Sequence, residues 1–169
     1  MKGLKEMLEE CGAVKYGDFT LTSGKKSSYY VDIKKASTKP HILRAIAEGM
    51  AVHVEEELIA GMELGAVPIA AALSLQTDIP FVMVRKKKRE HGTGSQIEGE
   101  LKAGTKVVIV EDVTTTGGSS VETVNALREV GAMVDKVISV VDRKEGAEQR
   151  LADIGVSLIS LVSASELTG

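Results

Sequence analysis

The 169-residue chain predicts an α/β fold, a parallel sheet with helices on both faces. Three observations predict it. Leu58–Met62, Phe81–Val84 and Val107–Val110 are short, uninterrupted apolar runs, and Val137–Val141 is apolar but for Ser139. Such runs suit strands buried on both sides, where alternation would leave polar groups in a core. Segments of helical character lie between them, and strand–helix alternation builds a parallel sheet with right-handed crossovers. No repeat, low-complexity stretch or linker interrupts the series, so residues 1–169 form a single domain.

Taken in order, Leu4 to Val14 has apolar residues at 4, 7, 8 and 11, a helical spacing, with Gly12 placed to end the helix. Phe19 to Ile33 reads as a hairpin turning at Ser23-Gly24-Lys25-Lys26. Pro40 stands near a helix start, and Ile42 to Leu58 continues that helix. Leu58–Met62 is a strand, Pro68 to Leu75 an Ala-rich helix and Phe81–Val84 the next strand. Residues 87–100 have no period and form a long loop, a length that is uncommon unless functional. The run at 107–110 is a strand, and Val121 to Arg128 is a helix closed by Gly131. Val137–Asp142 is a strand, Ala147 to Ile154 a short helix and Val156 to Val162 the last strand. In such sheets ligands bind beyond the carboxyl ends of the strands.

The composition, 43% hydrophobic and 27% charged, is that of a soluble globular protein. With two Phe, three Tyr and no Trp, the core must come from aliphatic residues, and Met50, Met62, Met83 and Met133 are expected as core filler. A net charge of −3 gives no general attraction to nucleic acid or an anionic membrane. The single Cys11 excludes an internal disulfide and a cysteine metal cluster, and it fits a reducing compartment. The amino terminus carries early acids and no long apolar core, so no signal peptide is expected. No 18-residue apolar run suggests a membrane span, and a cytoplasmic location follows.

The most informative segment is Lys106 to Ser120. Four apolar β-branched residues run into Glu111 and Asp112, then Val113, Thr114, Thr115, Thr116, Gly117, Gly118 and Ser119. Such a turn stands between the carboxyl end of a strand and the amino end of a helix. Free N–H groups and the helix dipole suit a phosphate there, and glycine lets the backbone come close. Two adjacent carboxylates suit ribose hydroxyls or a hydrated Mg²⁺ instead. Neither GxxxxGK[ST] nor GxGxxG is present. A second constellation, Arg85-Lys86-Lys87-Lys88-Arg89-Glu90-His91, sets five bases against one acid on an acidic chain. With Gly92, Gly94 and Gly99 beside it, it reads as a mobile cationic loop able to close over a polyanion. His91 could donate to an anionic leaving group. The run has no aromatic for stacking on bases.

The strand, acid pair and Thr/Gly turn resemble the 5-phosphoribosyl 1-diphosphate (PRPP) motif of type I phosphoribosyltransferases. Arg85-Lys86-x-x-Arg89-x-His91-Gly92, one strand ahead, looks like the catalytic loop of the orotate phosphoribosyltransferases. Gly17 to Tyr30 resembles that family's amino-terminal hood, and Asp142-Arg143 its Asp-Arg pair. The resemblance implies a type I phosphoribosyltransferase fold with a small hood, about residues 1–35 plus part of the carboxyl terminus. It implies transfer of phosphoribose from PRPP to orotate, giving orotidine 5′-monophosphate in pyrimidine (UMP) biosynthesis. It further implies that Glu111 and Asp112 hold the ribose and that Thr114 to Ser119 wrap the 5-phosphate. Thr115 and Arg143 would contact orotate. Arg85, Lys86, Lys88, Arg89 and His91 would act on pyrophosphate, delivered across a homodimer. Mg²⁺ would be held mainly through PRPP, with no direct protein ligand set.

Three positions depart from the family pattern. Arg89, beside Lys88, replaces a common loop lysine, and either could take its role. Thr22 replaces a common hood lysine. Gly65 replaces a lysine of the pyrophosphate-side turn, so backbone N–H groups are expected to serve there. Tyr29 and Tyr30 are divided between core and site, since one could flank a planar pyrimidine. His41 and His53 are expected as surface histidines. Two rivals remain: transfer to another base, and a PRPP-sensing regulator that binds nucleic acid. The second would need a reading module, and one helix in the first 15 residues is too little.

Overall fold

The computed structural model describes residues 1–21, 23–92 and 94–168. Thr22, the hood departure, and Thr93 of the basic loop lie outside the described residues. Strands β3 (Leu58–Met62), β4 (Phe81–Val84), β6 (Lys106–Thr114), β7 (Met133–Asp142) and β8 (Ser157–Ser163) are parallel. A two-residue strand, β5 (Ile97–Glu98), pairs antiparallel with β4 at one edge. The order across the sheet is β5-β4-β3-β6-β7-β8.

The side-chain alternation of β6 explains its continuous apolar run. Val108 and Val110 enter one core with Ile46 of α3 (Pro40–Ala51) and Leu73 of α4 (Ala66–Thr77). Val107 and Ile109 enter the other with Leu127 of α5 (Gly118–Glu129) and Leu151 of α6 (Ala147–Ala152). All four strand residues are wholly buried, and each such side chain contributes about 1.5–3 kcal/mol. This is the parallel, doubly covered sheet expected from the sequence.

The hood is an antiparallel hairpin, β1 (Val14–Thr20) with β2 (Lys26–Val31), preceded by α1 (Leu4–Glu10). It leads directly into α2 (Ile33–Ser37), whose N-cap Asp32 accepts a hydrogen bond from the Lys35 N–H. A last helix, α7 (Ala164–Thr168), ends the described chain. No described helix is long and apolar enough to cross a membrane.

Several expectations need correction. The helix expected over Ile42–Leu58 ends at Ala51, where β-branched Val52 and Val54 disfavour further turns. The hairpin begins at Val14, not Phe19, since Val14 and Lys15 pair with Val31 and Tyr30. The 87–100 loop contains β5, too short for any periodic signal. The helices α2 and α7 were not expected, for the same reason of length. Met50 and Met62 are core residues, but Met83 and Met133 are 37% and 57% exposed. Met83 lies beside the sheet edge, and Met133 is the first residue of β7.

Candidate active site

The carboxyl ends of β3, β4, β6 and β7 gather the polar residues of interest along one edge. Glu111 belongs to β6 and is only 5% exposed. Ser120 of α5 donates a hydrogen bond to its carboxylate at 3.0 Å. Burial pushes the Glu111 carboxyl up to about 7; the Ser120 hydrogen bond opposes this and the neighbouring Asp112 charge adds to it. The next side chain, Asp112, is partly exposed; one oxygen accepts the Val113 N–H at 2.9 Å. Its other oxygen lies 3.8 Å from Nζ of Lys34, on α2.

The raised Glu111 carboxyl carries a pH signature. The folded state holds this proton more tightly than the unfolded chain. Its stabilising effect is therefore full below the ordinary value of 4.5 and is lost as pH rises through about 7. The ligand-free protein should lose Tm over that interval, and Glu111→Gln should flatten the loss. A pH series of thermal melts on both proteins checks it; identical slopes would remove burial of Glu111 as the cause.

Beyond β6 the chain makes the tight Thr115-Thr116-Gly117 turn into α5. Gly117 has a φ of +86°, and a Cβ there would stand 3.0 Å from the Ala147 backbone, so only glycine fits. The first-turn N–H groups of α5 face this turn, with Thr115 and Thr116 exposed beside them, while the Ser119 hydroxyl donates to the Met62 sulfur at 3.5 Å. Gly118 is partly buried at the start of the helix. Thr114 is buried, and its hydroxyl donates to Asp142 at 3.1 Å. Its side chain therefore ties β6 to β7 instead of facing the turn, and Val113 is a partly buried strand residue.

Arg143 follows Asp142 at the end of β7 and is 8% exposed. Its guanidinium lies 4.2 Å over the Tyr29 ring, donates to Ser27 Oγ at 3.0 Å and approaches Glu145 at 3.4 Å. Three of its five N–H bonds remain without a partner among the described residues. Tyr29 is buried, its hydroxyl pushed up mainly by that burial, while Tyr30 is exposed and packs against Phe19. Tyr29 is thus the ring beside the cation, and the hood is pinned to the carboxyl edge through it.

Of the basic loop, one residue reaches the acids. Lys86 lines a cavity of about 220 Å³ together with Lys34, Glu63, Gly65, Glu111 and Asp112. Its backbone N–H donates to Glu63 at 2.7 Å. Arg85 and Arg89 instead converge on Glu98 of β5, at 2.8 and 2.6 Å. Those two cations hold the Glu98 carboxyl below its usual range. Lys88 pairs with Glu129 at 3.2 Å, and His91 is exposed. A larger depression of about 600 Å³ lies at the opposite edge, around Lys106, Met133 and Lys136. Its Lys136 is paired with Glu56 at 2.9 Å, and it holds none of the residues described above.

Lys34, Ser27, Glu63 and Glu98 were not singled out from the sequence. Each acts on a residue far along the chain, and no local spacing announces it. His41 is exposed and His53 partly so.

Known proteins resemble this chain over most of its length. A family model described as phosphoribosyl transferase domain matches residues 34–163. The orotate phosphoribosyltransferase of Methanocaldococcus jannaschii is 53% identical over 97% of this chain and 94% of its own. The crystal structure of orotate phosphoribosyltransferase from Aeropyrum pernix superposes with a TM-score of 0.85 at 35% identity, over 96% of this chain and 94% of that one. That of the Mycobacterium tuberculosis enzyme in complex with PRPP does so at 0.77 and 30% identity, over 97% and 98%.

Proposed function

Because this chain belongs to the phosphoribosyltransferase family, we propose how its own residues carry out the family's chemistry. The activity is orotate phosphoribosyl transfer: orotate and PRPP give orotidine 5′-monophosphate and pyrophosphate, a step of pyrimidine biosynthesis. N1 of orotate bonds to the ribose C1 as the C1–O bond breaks. The electron pair leaves with pyrophosphate, and the N1 proton is released. No covalent enzyme intermediate is needed, so positioning and electrostatics carry the rate.

The observation that carries this reading is the placement of Arg143, Ser27 and Tyr29 beside the Thr/Gly turn. A guanidinium with donors to spare binds a planar carboxylated ring bidentately, and an aromatic ring beneath it fixes the plane. Thr115 adds a hydroxyl on the same side. The turn from Thr115 to Ser119, with the first N–H groups of α5, receives the 5-phosphate, and Val113 and Thr114 support it from the strand. Glu111 and Asp112 accept hydrogen bonds from the ribose hydroxyls.

The donor set also fits Mg²⁺. This hard ion is held by one or two carboxylates plus substrate phosphates. Asp112 offers an oxygen on the same cavity as Lys34 and Lys86. When bound, Mg²⁺ neutralises charge developing on the departing pyrophosphate. Arg85, Lys86, Arg89 and His91 close over that group, with Lys88 or Arg89 in the role of the usual loop lysine. For Arg85 and Arg89 this requires release from Glu98. We place the reaction in the cytoplasm, in a homodimer whose loop serves the partner's site.

Purified protein mixed with PRPP, Mg²⁺ and orotate should deplete orotate absorbance and should leave adenine, hypoxanthine and uracil unconverted. Conversion of a purine in place of orotate would overturn the base assignment. Subunit sharing has its own test. A loop variant (Lys86→Ala with His91→Ala) and Asp112→Asn should each be nearly inactive, yet regain activity when subunits exchange. One mixed site then holds both intact halves. No recovery after proven exchange would assign the loop to its own subunit.

A further inference from the structure

Gly65 poses a charge problem at the pyrophosphate side. The cavity there is lined by three carboxylates, Glu63, Glu111 and Asp112. A polyphosphate entering it needs cations, and the turn that could carry one has glycine instead. A Cβ built at position 65 would meet the Asp112 carboxylate, the end of a side chain that can swing aside. As glycine, the turn presents backbone N–H groups and no side chain.

The compensating cation comes from another element. Lys34 stands on α2, directly after the hood hairpin, and lines the same cavity as Gly65 and Lys86. Its neighbours Ile33, Ala36 and Ser37 are buried, which fixes the helix, while the Lys34 side chain is 61% exposed and able to turn. Its Nζ lies 3.8 Å from Asp112 Oδ2, longer than a charge-assisted hydrogen bond. That distance is a loose association, which a ligand with more negative charge can outcompete. Unlike Lys86, Lys34 is not on the basic loop, so it is present before that loop closes.

We propose that Lys34 is a diphosphate-binding residue, the fixed cation that Gly65 cannot provide. In the ligand-free protein it balances Asp112. On PRPP binding the ribose hydroxyls engage Asp112, and the Lys34 ammonium turns to the diphosphate. The inference rests on the phosphoribosyl-transfer reading and deepens it.

The test compares wild type with Lys34→Met, which keeps the aliphatic stem, and Lys34→Arg, which keeps the charge. Binding of PRPP, pyrophosphate and orotidine 5′-monophosphate is measured by calorimetry, with and without Mg²⁺, alongside Tm. Lys34→Met should weaken PRPP and pyrophosphate tenfold or more and leave orotidine 5′-monophosphate, which has no diphosphate, within about twofold. Lys34→Arg should recover most of the loss. Unchanged pyrophosphate affinity in Lys34→Met would overturn the proposal. Equal weakening of all three ligands would also overturn it, because Lys34 would then act only by holding Asp112. If wild type itself bound neither PRPP nor pyrophosphate, the phosphoribosyl-transfer reading would fail first, and the two failures are thereby distinguished.

Discussion

Asp112→Asn should lower kcat/KM for PRPP by about 10² or more, the scale of losing one preorganised electrostatic contact in a water-poor site. The substitution keeps the shape and removes the charge. An amide still accepts a hydrogen bond at one atom, but it offers no second acceptor to ribose and no anion to a metal. It also leaves Lys34 without its carboxylate neighbour at 3.8 Å. Because the Asp112 side chain is 19% exposed and makes no buried ion pair, Tm should change little. Steady-state kinetics with PRPP as the varied substrate, paired with a thermal melt, give the answer. Near-normal kcat/KM would take Asp112 out of the ribose clamp and leave Glu111 to act alone.

The second large effect is expected at Arg143. Arg143→Ala removes the charge-assisted contacts to a carboxylate, about 1.5–3 kcal/mol. This predicts a fall of about 10- to 10²-fold in kcat/KM for orotate. PRPP binding should change far less, since Arg143 contacts the hood and not the acids. Ser27→Ala is the control. It removes the 3.0 Å anchor while leaving the guanidinium, so it should cost less than Arg143→Ala. Arg143→Lys should recover little, because an ammonium has neither the planar fork nor the stacking face. A PRPP affinity that fell in parallel with that for orotate would show that the variant had disturbed the whole edge instead of one subsite.

The strands and the acid–turn segment were legible because their causes are local. A strand buried on both faces needs a continuous apolar run, and Val107 to Val110 is one. A tight strand-to-helix turn needs glycine within a few residues of the strand end, and Gly117 has the φ that requires it. The hairpin was legible in kind but not in extent, since the pairing of Val14 with Val31 has no marker on either residue. Likewise Met83 and Met133 look like core residues in a string of apolar neighbours. Whether a helix covers them depends on where the sheet ends.

By itself the sequence determined the α/β class, the identity of the acid pair and the turn, and the resemblance carried by the basic loop. Tertiary structure alone decided who meets whom. It set Arg143 against Ser27, 116 residues away, and turned Thr114 inward to Asp142. It drew Arg85 and Arg89 to Glu98, and it brought Lys34 to the cavity that Gly65 leaves without a side chain. The physical reason is the parallel sheet. Its crossovers carry the carboxyl end of each strand to one edge, so distant segments become neighbours there. Closing those long loops costs entropy that the buried core as a whole offsets, and no short spacing in the sequence encodes the result.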